Sequence, residues 1–380
     1  MTGKRFGRPQ LWALLLLSAY TAQALWVVHR APLRWSEAAY AQAGIDQLAG
    51  KLQPRDQGAL PVPAVMAAWP VILAHPFAAL RSPGILKWLL RLPFVAFGWL
   101  LGASIWYVAR RLYGNAGGYI ALTLYCFSPA VLFPWPGPLL AGSLGIFGTV
   151  FVAIATAHTL YAPPEASQMR SRWRRIVLLA LAITLALGCG FWAVLLVALG
   201  LAFMLYVVPE RRGASLASVL SACALVAILL LALFGFRPGA LAGAFIHASW
   251  LPQRGMLSTE VARAYLTGIA RTQSVALLAL TAIALLAYLA FSRCRYFGNT
   301  APLLSALVVS ALALVMFADV FVGPFPLRAT AFVYVFIAGV FADLLESRWR
   351  RPFLPLMLVL LAAYVLISIW GVFGTSATVV

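Results

Sequence analysis

The sequence predicts an all-α polytopic membrane protein, on three observations. Of its 380 residues 63% are hydrophobic and only 10% charged, with a mean hydropathy of +0.94, far from the balance of a soluble domain. The apolar residues form long unbroken runs without the alternation of a membrane β-strand. Arginines stand in short clusters between those runs, as topology determinants do. Hydrocarbon offers no water to backbone N–H and C=O groups, so runs of about 20 residues must cross as helices. The net charge of +19 comes from arginines in short clusters between apolar runs, as topology determinants do, which argues against nucleic acid as a partner.

Read against the arginine clusters, the apolar runs predict eleven spans, near residues 10–28, 91–109, 116–133, 140–160, 176–189, 191–208, 214–235, 273–292, 301–322, 328–345 and 353–373. The N-terminus has the look of a signal peptide, with Lys4 and Arg5 ahead of an apolar stretch and Ala22-Gln23-Ala24 resembling a cleavage site. The apolar run continues through Leu25 to Val28, which favours an uncleaved first span. Cys126, Cys189, Cys223 and Cys294 lack metal or redox spacing and read as small buried hydrophobes.

Residues 60–80 are apolar enough to pass as a span but are broken by Pro61, Pro63, Pro70 and Pro76. Counting them as one would reverse every later loop and put Arg110–Arg111, Arg170–Arg175, Arg211–Arg212, Arg293–Arg295 and Arg348–Arg351 outside. That violates the positive-inside rule, so 60–80 is read as juxtamembrane or half-inserted. The chain then divides into a first transmembrane helix (1–28), an outer loop with juxtamembrane helices (29–90), a transmembrane core (91–235), a second outer loop (236–272) and C-terminal transmembrane helices (273–380), with the N-terminus cytoplasmic. Glu37, Asp46, Asp56, Glu260 and Asp319 fall on or near the outer face. The cytoplasmic loops are short and hold no phosphate-cradling GxxxxGK[ST], which speaks against an ATP-driven pump.

Residues 90–132, with Arg91-Leu92-Pro93, Arg110-Arg111-Leu112-Tyr113-Gly114 and Ser128-Pro129 in that order, resemble the early core of GT-C-type integral-membrane glycosyltransferases. The likeness is to bacterial members related to protein O-mannosyltransferases and aminoarabinose transferases. Upstream, Trp35-Ser36-Glu37-Ala38-Ala39-Tyr40 resembles that family's acidic motif, usually Asp-Glu followed by Tyr. The resemblance covers about the first 160 residues. It implies a GT-C-like bundle of about eleven transmembrane helices with interfacial helices in the first outer loop, in a bacterial inner membrane. It also implies transfer of a sugar from a polyprenyl-phosphate donor to an acceptor at the outer face, without a cofactor or metal. Glu37 would be the general base towards the acceptor hydroxyl. Lys87, Arg91, Arg254 and Arg328 would hold the donor phosphate, with Arg263 and Arg271 also available.

Two departures support a different outcome. The Asp of the family's pair is Ser36 here, which is no base near neutral pH, and Pro138 to Ser143 carry no carboxylate where a second acid is expected. A catalytically inert GT-C-like subunit or scaffold of a membrane complex is therefore the alternative to the transferase. Each candidate also has a plainer reading. Glu37 lies on the amphipathic stretch Trp35 to Leu48 and suits the solvated face of an interfacial helix. Arg91 suits a snorkelling anchor. Asp46 and Asp56 suit solvated loop acids, and Glu260 the first turn of a short helix. His75 and His247 lack a third ligand. Asp319, near the end of an apolar run, calls for a partner such as Arg328. A transporter would show inverted repeats and mid-membrane charge, and neither is found. The topology predicts that a cysteine introduced at Gln168 is protected from membrane-impermeant maleimide added outside; strong labelling there would reverse the arrangement.

Overall fold

The computed structural model describes residues 7–51, 61–74, 76, 83–132, 137–161, 166–247, 263, 267, 274–316, 326–348 and 350–375. Among these there are helices and short 3-10 turns and no strand. In chain order the helices are α1 (Arg8–Arg30), α2 (Trp35–Leu48), α3 (Pro61–Ala74), α4 (Pro83–Cys126), α5 (Pro129–Leu132), α6 (Pro138–Tyr161), α7 (Ala166–Gly188), α8 (Val194–Val207), α9 (Arg212–Leu233), α10 (Pro238–His247), α11 (Val275–Ala290), α12 (Phe297–Met316), α13 (Pro326–Glu346) and α14 (Arg350–Thr375).

By length and composition six described helices can cross a membrane: α1, α4, α6, α9, α13 and α14. The apolar part of α4 runs 43 residues, about twice what one crossing needs. It is broken at Gly114, whose φ of 74° and ψ of −171° leave the helix. That left-handed φ suits glycine, because a Cβ there meets the neighbouring backbone, and the break falls beside Arg110 and Arg111, between the two spans expected at 91–109 and 116–133. The runs expected to span at 191–208 and 273–292 form helices of only 14 and 16 residues, short of a crossing by themselves. α3, in the stretch read as juxtamembrane, is also 14 residues long, about 21 Å at 1.5 Å per residue.

The chain divides into two compact units. The first comprises Met1–Ala31, Gly98–Pro136 and Leu257–Val380. Its most enclosed helix is α13, where Phe332, Val335, Phe336, Val340 and Phe341 are all buried. The end of α4 shows how the unit satisfies backbone that leaves its helix. Ser128 N–H turns to Tyr125 O instead of Leu124 O, and Pro129 has no N–H to give. The freed Leu124 carbonyl accepts from Tyr364 Oη of α14 at 2.7 Å, and Cys126 O accepts from Gln23 Nε2 of α1 at 3.3 Å. Tyr125 in turn donates from Oη to Gly98 O at 2.5 Å.

The second unit comprises Pro32–Phe97 and Gly137–Met256. Here α6 and α7 lie antiparallel in close approach: a Cβ on Gly145 would come within 2.4 Å of the Ala186 backbone nitrogen, the small-residue contact that lets membrane helices touch backbones. α8 packs on α6, and α9 on α7, around Ile176, Ile183, Met204, Val219 and Val226. α2 packs on α3 through Gly44, where a Cβ would sit 2.0 Å from Ala64 O. Helix ends are tied by side chains in this unit too. Arg211 Nη1 donates to Leu160 O at 2.6 Å, Tyr161 Oη donates to Val207 O, and Gln47 Nε2 donates to Leu233 O at 2.7 Å.

Leaving the Leu124 carbonyl without its donor should cost about 1–3 kcal/mol. Tyr364→Phe is thus expected to lower the thermal unfolding midpoint of the purified chain in detergent while keeping its helical content.

Candidate functional site

The candidate site lies in the second unit, where the start of α2 meets the start of α4. α2 begins after Arg34, and Glu37 occupies its third position. From there the carboxylate folds back, and its Oε2 accepts from the Arg34 backbone N–H at 2.9 Å, giving an orphan donor of the helix start its partner. The helix dipole favours an anion at that position as well.

Arg91 arrives from α4, two turns into the helix. Its Nε donates to Glu37 Oε1 at 2.8 Å and its Nη2 to Glu37 Oε2 at 2.7 Å, while Nη2 also donates to Pro32 O at 2.7 Å. Two parallel N–H to O contacts make this a forked pair, the geometry a guanidinium offers and an ammonium cannot. Arg91 is 1% exposed and the Glu37 side chain 15%. A long cationic side chain this enclosed requires a partner, and removing one half of such a pair strands the other.

The other residues singled out by sequence distribute unevenly. Lys87 is half-buried one turn before Arg91 on the same helix. Arg328 is in the first unit, 8% exposed at the start of α13. Arg254, Arg271, Asp56, Glu260, His75 and Asp319 lie outside the described residues; Arg263 is described and exposed, and His247 closes α10. Asp46 accepts from Gln42 Nε2 at 3.0 Å, one helical turn away. Arg237 Nη1 donates to Gly50 O at 2.7 Å, joining the end of α2 to the start of α10. Among the described residues no three of His, Cys, Asp and Glu converge as metal ligands. The structure therefore brings together Glu37 and Arg91, 54 residues apart.

The sequence reading passed over a polar cluster in the first unit. Asn299 Nδ2 donates to Asp343 Oδ2 at 2.7 Å, both residues being buried, and Tyr113 Oη donates to Gly298 O. Gly339 makes room, since a Cβ there would collide with Asn299 and Tyr113. In the neighbouring loop, burial pushes the Cys294 thiol up to about 11, and the Asp343 carboxylate adds to it. The signal in the sequence was an acid among the apolar residues of 328–345, as informative as Asp319.

No family profile matches the chain, and no curated protein matches it.

A carboxylate has about four lone-pair sites, and three on Glu37 are taken. The arrangement fastens the N-terminal end of α2 to α4: one Oε1 lone pair of Glu37 is left, and a phosphate reaching the Nε or Nη2 donors of Arg91 has to displace the carboxylate already there. Arg91→Ala and Glu37→Ala should each destabilise the purified chain by about 3–5 kcal/mol. A double-mutant cycle is expected to show that the second removal costs much less than the first, with Arg91→Lys failing to restore the forked pair.

Proposed function

We propose that this chain is a GT-C-like protein of a bacterial inner membrane, with about eleven spans and a cytoplasmic N-terminus, that serves as a non-transferring subunit or scaffold of a membrane complex. The observation that carries this reading is the mutual satisfaction of Glu37 and Arg91. In a transferase Glu37 would be turned towards the acceptor hydroxyl and Arg91 towards the lipid phosphate. Instead each of them faces the other, and Arg91 is enclosed. Ser36 stands where the resembled family carries its first acid, and a hydroxyl does not replace a base.

A sugar transferase using a polyprenyl-phosphate donor is the second reading. What favours it is that the pair joins the two segments that carry the resemblance, Trp35-Ser36-Glu37 and Arg91-Leu92-Pro93. In that reading Lys87 holds the phosphate with Arg91, and Glu37 is released to serve as the base when substrate arrives.

The two readings part in one assay. The purified full chain, reconstituted in lipid nanodiscs with a polyprenyl-phosphate sugar and a cell-envelope extract supplying acceptor hydroxyls, is expected to release no polyprenyl phosphate above the rate of a protein-free control, and Glu37→Gln to change nothing. Turnover by the wild-type chain that falls by about 10² to 10⁴ in Glu37→Gln, the usual worth of a positioned base, would establish the transferase instead.

A further inference from the structure

At one end of the second unit two arginine runs far apart in sequence share a level. α7 carries Arg170, Arg172, Arg174 and Arg175 in its first half, and Arg211 and Arg212 open α9. The helices are packed so that Ile176 and Val219 fall in one cluster, and the connections that precede them are bound together by Arg211 on Leu160 O and by Tyr161 on Val207 O. Arg170, Arg174, Arg211 and Arg212 are exposed, and Arg172 and Arg175 half-buried. None of the six has a carboxylate partner among the described residues. Glu210 stands beside them, and Glu165 lies outside the described residues.

One turn further along both helices the surface changes character. Val177 and Leu178 on α7 are 44% and 48% exposed, and Leu216 and Leu220 on α9 are 47% and 60% exposed. Trp173 and Tyr206 are exposed at the boundary, at 55% and 70%, as aromatic side chains are at the headgroup level. These aliphatic side chains fit the lipid-facing surface of two spans, which sets the arginines above them within reach of lipid headgroups before any soluble acidic partner. A lipid matches both, with an anionic headgroup on the guanidinium groups and acyl chains along the exposed aliphatic side chains below them.

We propose that this end of the second unit is a binding surface for anionic phospholipids, selected over zwitterionic ones by Arg170, Arg172, Arg174 and Arg175 together with Arg212. Juxtamembrane arginines attract anionic headgroups within a Debye length of the surface. The surface is independent of whether the chain transfers sugars.

Electron spin resonance of the full chain in proteoliposomes, with spin-labelled phosphatidylglycerol and phosphatidylcholine as probes, reads the selectivity directly. The wild-type chain is expected to prefer phosphatidylglycerol by about threefold or more, with the preference falling towards one in high salt. Replacing the four α7 arginines by Gln together should abolish it. The milder pair R170Q/R174Q, which alters two exposed side chains, should remove a substantial part, and it decides the matter if the fourfold variant fails to fold. Arg348, Arg350 and Arg351 changed together to Gln should leave most of the preference in place. Absence of selectivity in the wild type, selectivity untouched by R170Q/R174Q, or equal loss in the Arg348–Arg351 control would overturn the assignment, as would displacement of the labelled lipid by a soluble RNA oligonucleotide.

Discussion

In hydrocarbon a polar group must find its partner inside the protein, and much of this structure follows from that constraint. It selects helices, because a helix satisfies its own backbone apart from the first N–H groups and the last carbonyls of each segment. Those carbonyls are where long side chains gather. Tyr364 serves Leu124, Gln23 serves Cys126, Gln47 serves Leu233 and Arg211 serves Leu160. Each donor comes from a different segment than its acceptor, so finishing one helix fixes the position of another within the same unit.

The same constraint governs the charges. A guanidinium as enclosed as that of Arg91 persists only if its field is met locally, and Glu37 meets it with both oxygens. An interaction of this kind contributes less to net stability than it costs to break, which makes it a device for holding one arrangement of α2 against α4 rather than a source of stability. It also defines what the pair can do chemically. A base needs a lone pair directed at substrate, and an anion site needs a cation facing an opening; here three of about four carboxylate lone pairs and the Nε and Nη2 donors are committed inward, which leaves Glu37 one lone pair and keeps Arg91 enclosed. Arg170 and Arg174 in the first half of α7 present the opposite case, being cations exposed at the surface of the unit.

Much of the helical order was legible from apolar periodicity and arginine clusters: α1, α6, α9, α13 and α14 fall within a few residues of the runs at 10–28, 140–160, 214–235, 328–345 and 353–373. The runs at 191–208 and 273–292 are apolar enough but short, since Gly190 and the 3-10 turn at Phe191–Ala193 delay the start of α8 and the described part of α11 begins at its Ser274 cap. Glu37 and Arg91 could each be singled out, by an acidic motif and by an arginine at the mouth of a span. That they satisfy each other could not be read, because no local rule links positions 54 residues apart. For the same reason the donors at helix ends were invisible: a tyrosine such as Tyr364 inside an apolar run looks like any interfacial aromatic until the carbonyl it serves is known. Asp343 was overlooked because it stands close to the basic cluster at Arg348, where an acid attracts no notice.

The central claim is that Glu37 and Arg91 are partners of one another and not of a substrate. A cryo-electron microscopy structure of the chain in a nanodisc containing a polyprenyl-phosphate sugar tests it most directly. Glu37 is expected to remain forked on Arg91, with Arg34 N–H on the carboxylate and no lipid phosphate between them. A phosphate bound to the Arg91 guanidinium, with Glu37 turned away towards an acceptor, would contradict it.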